Sequence, residues 1–321
     1  MILVTGGAGY VGSHCVKELL RQGYAVVVLD NLSQGCREAV LTEHFVNADL
    51  LDREALGQTF ATYSIDAVMH FAGLIRVGES VDHPQIYYEN NILGTLNLLQ
   101  IMREYGVNKM IFSSSAAVYG DPEMVPIPES HPKRPKSPYG KTKWMTEEIL
   151  RDYAEAYDMR YCALRYFNAA GCDPDGQLGE NHDPETHLIP IVLDVALGKR
   201  DYIKIFGTDY DTPDGTCIRD YVHVSDLATA HVLSLRALAA GEGSAAYNLG
   251  IGNGYSVREV IEVCRRITGH AIIAEESERR AGDPPRLIAD PARITRSLHW
   301  QPRFVDLSEI VATAWRQRNR T

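Results

Sequence analysis

Cysteine is scarce in this sequence: six in 321 residues, at Cys15, Cys36, Cys162, Cys172, Cys217 and Cys264. They form no CxxC pair and no metal-ligand spacing, so reduced thiols are expected, with neither a disulfide framework nor a metal centre. Long apolar runs are missing as well. The longest early one, Ala25–Leu29, falls far short of the roughly 20 residues that a membrane-crossing helix needs. No charged leader with a cleavage site precedes the first strand, so the cytoplasm is the expected location. Basic character is lacking too. Lys and Arg number 32 against 42 Asp and Glu, and the net charge of -10 is shared equally between residues 1–168 and 169–321. Without a basic half or tail there is nothing to hold a nucleic-acid backbone, and the anionic field disfavours acidic membranes. An anionic substrate must be caught by local arginines or helix N-termini. Repeats and low-complexity segments are absent.

What is present is a long, ordinary globular composition, enough for about two domains at roughly 150 residues each. The first 168 residues alternate strand and helix signals. Ile2–Thr5, Ala25–Asp30, His44–Asp49, Asp66–Phe71, Lys109–Ser114 and Arg160–Tyr166 read as buried strands. Val11–Gln22 and the stretches near 52–62, 84–105 and 139–157 have helical spacing. This alternation predicts an α/β fold with a doubly wound parallel sheet of the Rossmann kind. After Ala169 comes a loop rich in Gly, Pro and Asp. Shorter elements follow: helices near 188–198, 225–239 and 256–268, strands near 202–206 and 246–249, and a Pro-rich loop at 282–291. These predict a smaller α+β domain over 169–321, partly interleaved with the first, which takes in 1–168 together with 218–250.

TGGAGYVGSH places Gly6, Gly9 and Gly12 three residues apart, between a strand and a helix. Glycines there let the backbone turn tightly and let a pyrophosphate approach the helix N-terminus. The plainer reading, glycines that merely ease helix–sheet packing, is countered by the flanking strand and helix and by Asp30. That carboxylate ends the second strand, where it suits ribose hydroxyls and repels the 2′-phosphate of NADP. The expected cofactor is NAD, held by the first domain.

SPYGKTK sets Tyr139 and Lys143 one helical turn apart, on one face. An incidental surface pair is the bland alternative. Beside a dinucleotide cradle, the pair points to proton transfer: the ammonium together with the positive nicotinamide favours the phenolate, which takes a proton from a hydroxyl as hydride leaves for the cofactor. SSSAAVYG follows the fifth strand, at the edge where open sheets bind ligands, and Ser115 is the serine expected at the reacting hydroxyl rather than a simple strand-end cap.

Taken in order, GGAGYVGSH, DNLS, FAG, the NN of YYENN, SSSAAVYGD, SPYGKTK, RYFNAAG, DGTCIRDYVHV and RRAGDPP resemble the UDP-glucose 4-epimerases, a family of extended short-chain dehydrogenases/reductases. The resemblance covers nearly the whole chain. It implies reversible C4 epimerisation of UDP-glucose and UDP-galactose through a 4-keto sugar, with bound NAD reduced and reoxidised in each turnover. By resemblance Tyr139, Lys143 and Ser115 are catalytic. Tyr10, Val11, Asp30, Asn31, Ser33, Asp49, Leu50, Phe71, Ala72, Gly73, Asn90 and Phe167 join the glycines around NAD. Asn168, His187, Leu188, Phe206, Arg219, Arg280 and Asp283 match UDP-sugar contacts, with Leu287 at the sugar-end wall. A homodimer through the helices near 84–105 and 139–157 is also implied.

Two departures stand out. Ile75 replaces a lysine that some members place near the cofactor. Leu287 is smaller than the tyrosine that members restricted to unacetylated sugars can carry, so UDP-N-acetylhexosamines are further candidate substrates. A sugar 4,6-dehydratase would need an acid/base pair where Ala116 and Ala117 stand. Epimerases of UDP-glucuronate or UDP-pentoses share more of the pattern, while a non-catalytic NAD sensor would not need Tyr139, Lys143 and Ser115 together.

Overall fold

Ile2–Thr5 (β1) and Val26–Asp30 (β2) bury every side chain. Strands with no solvent face belong in a parallel sheet covered on both sides. The computed structural model describes residues 1–280 and 282–320. Its main sheet continues through Phe45–Asn47 (β3), Ala67–His70 (β4), Lys109–Ser115 (β5), Arg160–Tyr166 (β6) and, after a gap, Ala245–Leu249 (β11). The strand order is β11-β6-β5-β4-β1-β2-β3, and the pairings from β3 to β6 are parallel. From β1 the chain steps outward to β2 and β3, then returns to β4 on the other side. That reversal makes the carboxyl ends of β1 and β4 a topological switch point, where open α/β sheets bind ligands.

Helices α1 (Tyr10–Arg21), α2 (Arg53–Thr62), α3 (Val77–Asp82), α4 (Pro84–Tyr87), α5 (Gly94–Glu104) and α6 (Pro138–Tyr157) fill the crossovers. The stretch expected as one helix over 84–105 is interrupted by a π turn at Tyr88–Leu93. Such widened turns recur at functional sites, and this one carries Asn90 and Asn91.

Packing divides the chain into two units. Unit 1 is Met1–Gly120, Pro132–Tyr166 and Ala228–Tyr247; unit 2 is Asp121–His131, Phe167–Leu227 and Asn248–Thr321. In unit 1 the core joins sheet residues Leu3, Val27, Val68, Met110 and Ala163 to helix residues Leu56, Leu98, Met102 and Leu150. Each such buried side chain contributes about 1.5–3 kcal/mol. A polar clamp crosses this apolar layer. Arg165 on β6 donates to Glu147 on α6 through Nε (2.9 Å) and Nη2 (2.5 Å), and through Nη1 to the Tyr119 hydroxyl at 2.8 Å. Ser114 on β5 donates to the same carboxylate at 2.5 Å.

In unit 2, β7 (Asn168–Ala170) pairs with β10 (Tyr221–His223), and β8 (Ile203–Phe206) with β13 (Ala274–Ser277). A third small sheet runs β12 (Tyr255–Ser256), β9 (Ile218–Arg219), β14 (Arg286–Leu287). Its core is helical: Ile189, Val192 and Leu193 of α7 (Leu188–Ala196), Val260, Ile261 and Cys264 of α9 (Val257–Thr268), and Ile310, Val311 and Ala314 of α11 (Leu307–Arg318). A capping box of Ser256 and Glu259 starts α9, and Gly269 in a left-handed conformation ends it. The remaining helices are α8 (Val224–Ala239) and α10 (Ala292–Leu298). Neither α10 nor α11 was expected, although Leu307, Ile310, Val311 and Ala314 carry the helical 3–4–7 spacing.

Removing one partner of a buried ion pair strands the other charge. Arg165→Met is therefore expected to lower the unfolding free energy by about 3–5 kcal/mol, read as a fall in the urea midpoint. An unchanged midpoint would show that the clamp does not hold α6 to the sheet.

Candidate active site

The glycine turn after β1 is closed to a larger residue at Gly6 and Gly12. Gly6 sits at φ +71°, and a Cβ there would lie 2.4 Å from the Ala72 nitrogen. At Gly12 a Cβ would lie 2.2 Å from the Gly6 oxygen. Gly9 caps α1 without a side-chain hydrogen bond, and the first turn carries no acidic residue. An uncapped, uncontested helix N-terminus of this kind suits a pyrophosphate, so the turn fits a dinucleotide. Tyr10 and Gly12 are buried and Val11 half-buried at the start of α1.

Asp30 is 8% exposed and accepts from the Ala8 nitrogen at 3.0 Å and the Leu32 nitrogen at 2.8 Å. Burial raises its pKa, and these two bonds oppose the rise. Asp30 thus braces the glycine turn as well as ending β2. Beyond it Asn31 donates to Asp49 at 2.7 Å, Ser33 donates its N–H to Asn31 at 3.0 Å, and Leu51 donates its N–H to Asp49 at 2.8 Å. This ring joins the ends of β2 and β3 beside buried Leu50. Phe71, Ala72 and Gly73 follow β4; the N–H groups of Phe71 and Ala72 both donate to the Thr5 carbonyl, and the Phe71 ring lies 4.8 Å from that of His231. Ile75 is exposed and brings no charge to this loop. Phe167 falls in unit 2.

Ser137 caps α6 by accepting from the Gly140 nitrogen, and Pro138 occupies the first helical turn. That start sets Tyr139 and Lys143 on one face. Lys143 is 3% exposed, its Nζ donates to the Ser113 carbonyl at 2.7 Å, and it lies 5.9 Å from the centre of the Tyr139 ring. Burial alone lowers the Lys143 pKa to about 8. Burial also raises that of Tyr139, with a hydrogen bond to Ser115 acting the other way. Ser115 ends β5 and accepts from the Ala117 nitrogen at 3.2 Å. The structure brings the three residues together. Burial disfavours charge on both Tyr139 and Lys143 in the chain by itself, so the expected phenolate draws on the nicotinamide charge as well as on Lys143.

Sequence reading missed the polar chain that supports this face. Thr95 donates to the Asn91 carbonyl at 2.6 Å, so its oxygen is left to accept from His70 Nε2 at 2.9 Å; His70 Nδ1 then accepts from Thr5 at 2.7 Å. Burial, followed by the Lys143 charge, lowers the His70 pKa to about 3, which keeps the ring neutral as this pattern requires. Asn91 grips Leu74, accepting from its N–H and donating to its carbonyl, and also donates to Thr142 at 3.1 Å. Thr142 in turn donates to the Tyr139 carbonyl at 2.8 Å. The π turn thereby ties the loop after β4 to α6. Asn90, the expected contact, is half-buried beside it.

In unit 2, Asn168 opens β7 and donates its N–H to the Asp220 carbonyl at 2.9 Å. Arg219 ends β9, donates to the carbonyls of Ile218 and Pro284 at 2.9 Å each, and pairs with Asp283 at 3.4 Å. Leu287 is its register partner on β14. The exposed Arg280 guanidinium stacks 4.4 Å from the Phe206 ring. Leu188 begins α7, and His187 precedes it as the N-cap residue. Burial works against charge on His187, but Glu180 raises its pKa above the ordinary value. Two arginines and a helix start are local groups for an anion of the sort the acidic composition demands. Asp220, inside the same DGTCIRDY motif, has a different role. It accepts from the nitrogens of Ile251, Gly252 and Ala289, and burial still raises its pKa to about 6.

The model of the NAD-dependent epimerase/dehydratase family matches residues 2–250. A UDP-glucose 4-epimerase of Halalkalibacterium halodurans is 53% identical over 314 residues, which is 98% of this chain and 94% of that protein. A crystal structure of UDP-glucose 4-epimerase from Brucella ovis in complex with NAD superposes with a TM-score of 0.96 at 50% identity, covering 98% of this chain and 97% of that one. The UDP-glucose 4-epimerase from Bifidobacterium longum in complex with NAD+ and UDP gives a TM-score of 0.95 at 39% identity, covering 100% of this chain and 98% of that one.

Gly12→Ala drives a methyl group into the Gly6 carbonyl. NAD retained through gel filtration is expected to fall from about one equivalent to under about a tenth, with the far-ultraviolet circular dichroism unchanged. Full retention would mean that this turn does not seat the dinucleotide.

Proposed function

The chain belongs to the NAD-dependent epimerase/dehydratase family, and we propose that it interconverts UDP-glucose and UDP-galactose by inverting C4 of the hexose through a 4-keto sugar. The observation that carries this reading is the convergence of Tyr139, Ser115 and buried Lys143 on a face tied to a glycine turn. Bound NAD supplies a hydride acceptor that becomes the hydride donor of the return step. Tyr139 takes the proton of the 4-hydroxyl and gives one back to the 4-keto oxygen. Ser115 holds that oxygen in reach of the phenol, and Lys143 supplies positive charge in a dry setting, where it acts strongly. Asn91 and Thr142 position α6 for this work. No acid or base stands at Ala116 and Ala117, so elimination of water has no agent there.

Unit 1 is the NAD-binding part, through Gly6, Gly9, Tyr10, Val11, Gly12, Asp30, Asn31, Ser33, Asp49, Leu50, Phe71, Ala72, Gly73 and Asn90. Unit 2 binds the UDP-sugar through Asn168, His187, Leu188, Phe206, Arg219, Arg280 and Asp283. Leu287 lines the sugar end and leaves space for an N-acetyl group, so UDP-N-acetylglucosamine is a further substrate. The working form is a homodimer. Val81, Leu93 and Met145, on α3, the π turn and α6, are 61%, 48% and 40% exposed, apolar surface that a second copy would cover. Buried free thiols at Cys15, Cys172, Cys217 and Cys264 fit the reducing cytoplasm, and no helix among the described residues is long and apolar enough to cross a membrane.

Native protein is expected to convert UDP-galactose to UDP-glucose without added oxidant or reductant, and Tyr139→Phe to lose at least about 100-fold in kcat with NAD still bound. A silent wild type with NAD confirmed in place overturns the reading. In a substrate panel with UDP-N-acetylglucosamine, UDP-pentoses and UDP-glucuronate, wild type is expected to turn over the acetylated sugar and Leu287→Tyr to lose that activity selectively. No turnover by wild type or by Leu287→Ala rules out acetyl-sugar use. Sedimentation should give a dimer for wild type and a shift toward monomer for Val81→Glu combined with Leu93→Glu; a monomeric wild type contradicts the assembly.

A further inference from the structure

Between β7 and α7, wholly within unit 2, lies a side-chain cluster that shares only His187 with the proposed substrate contacts. Glu180, His182, Glu185 and His187 each bring one potential ligand atom to a point where all four atoms lie within 4.8 Å of one another. His182 Nδ1 is 3.4 Å from Glu180 Oε1 and 3.6 Å from Glu185 Oε1, and His187 Nδ1 contacts the same Glu180 oxygen. Both glutamates are 8% exposed. Donor atoms bound at about 2.0–2.1 Å in a tetrahedron stand roughly 3.4 Å from one another, so the two His182 spacings are those of a ligand set, while the closer His187–Glu180 contact would open on binding.

A mutual pairing of imidazolium and carboxylate is the plainer account, and one atom resists it. Glu185 Oε1 accepts from the nitrogens of Thr186 and His187 at 2.8 and 2.9 Å. Its Oε2 is buried with no hydrogen-bond partner among the described residues. An unsatisfied buried carboxylate oxygen is expensive, and a bound cation is one way to satisfy it. Arg318, whose charge acts on Glu180 and Glu185, is held by a two-bond pairing with Asp194 at 2.6 and 2.8 Å.

We propose that Glu180, His182, Glu185 and His187 form a site for one divalent transition-metal ion, with zinc the best match. Two imidazole nitrogens exclude calcium and magnesium, which prefer oxygen, while two carboxylates balance the double positive charge inside the protein. The ion joins the Gly-, Pro- and Asp-rich loop to the N-terminus of α7. Its role is structural, and it stands independently of the Tyr139 chemistry.

Metal analysis of protein purified without chelator, followed by zinc titration of the stripped protein by calorimetry and thermal melting, tests the site. About one zinc per chain is expected, with a Tm that falls on stripping and returns on refilling. His182→Gln and Glu185→Gln should each weaken zinc binding by at least about 10-fold. The stripped and refilled wild type decides the matter if these variants do not fold. Less than about 0.1 equivalent of zinc, manganese, iron, cobalt or nickel from supplemented cells, with no Tm response to any of them, overturns the site. Undiminished zinc in both variants places the ion elsewhere and overturns it equally.

Discussion

Lys143 is buried and tied to the Ser113 carbonyl at 2.7 Å inside unit 1, and the site in that unit depends on this arrangement. Burial pulls the lysine toward neutrality, to a pKa of about 8, and pushes the Tyr139 phenol toward keeping its proton. Neither residue is ready for base catalysis in the chain alone. The cost of holding a buried ammonium is met by structure around it: the sheet through β5, and α6 through the Asn91–Thr142–Tyr139 contacts. His70 contributes by staying neutral next to that charge. A positively charged cofactor beside the phenol is the missing term, which makes readiness for chemistry conditional on a loaded site.

Unit 2 meets a different constraint. On the proposed reading an acidic protein binds a dianionic nucleotide sugar, and the cations proposed for it are partly compensated. Arg219 shares Asp283 and two carbonyls, while Arg280 is stacked on Phe206 and exposed. A paired arginine is already oriented and loses less freedom on binding, whereas an exposed one offers its full charge. Asp220, next to Arg219, ties the end of β9 to Ile251, Gly252 and Ala289.

The parts legible in the sequence are those whose demands are local. Gly6 is required by its own positive φ and Gly12 by the Gly6 carbonyl six residues before it, and Tyr139 and Lys143 are set by a single helical turn. The parallel sheet was legible because strands buried on both faces leave unbroken apolar runs. Long-range polar contacts were not. Thr5, His70, Thr95, Asn91 and Thr142 come from five separate elements, and no spacing marks them as partners. Burial was the other hidden quantity: the YxxxK pattern fixes which residues share a face but says nothing of their depth. Glu180, His182, Glu185 and His187 lay in a segment read as plain loop, where the histidine spacing resembles no common metal motif. The amphipathic pattern of α11, by contrast, was visible and overlooked.

The most direct test of this account is an ultraviolet titration of the Tyr139 phenol, taken as the difference between wild type and Tyr139→Phe, with and without bound NAD. The account predicts ionisation above pH about 10, the ordinary tyrosine value, in the NAD-free chain and well below it in the loaded enzyme. An ionisation well below that value in both forms would contradict it, because Tyr139 would then be activated by the chain's own residues.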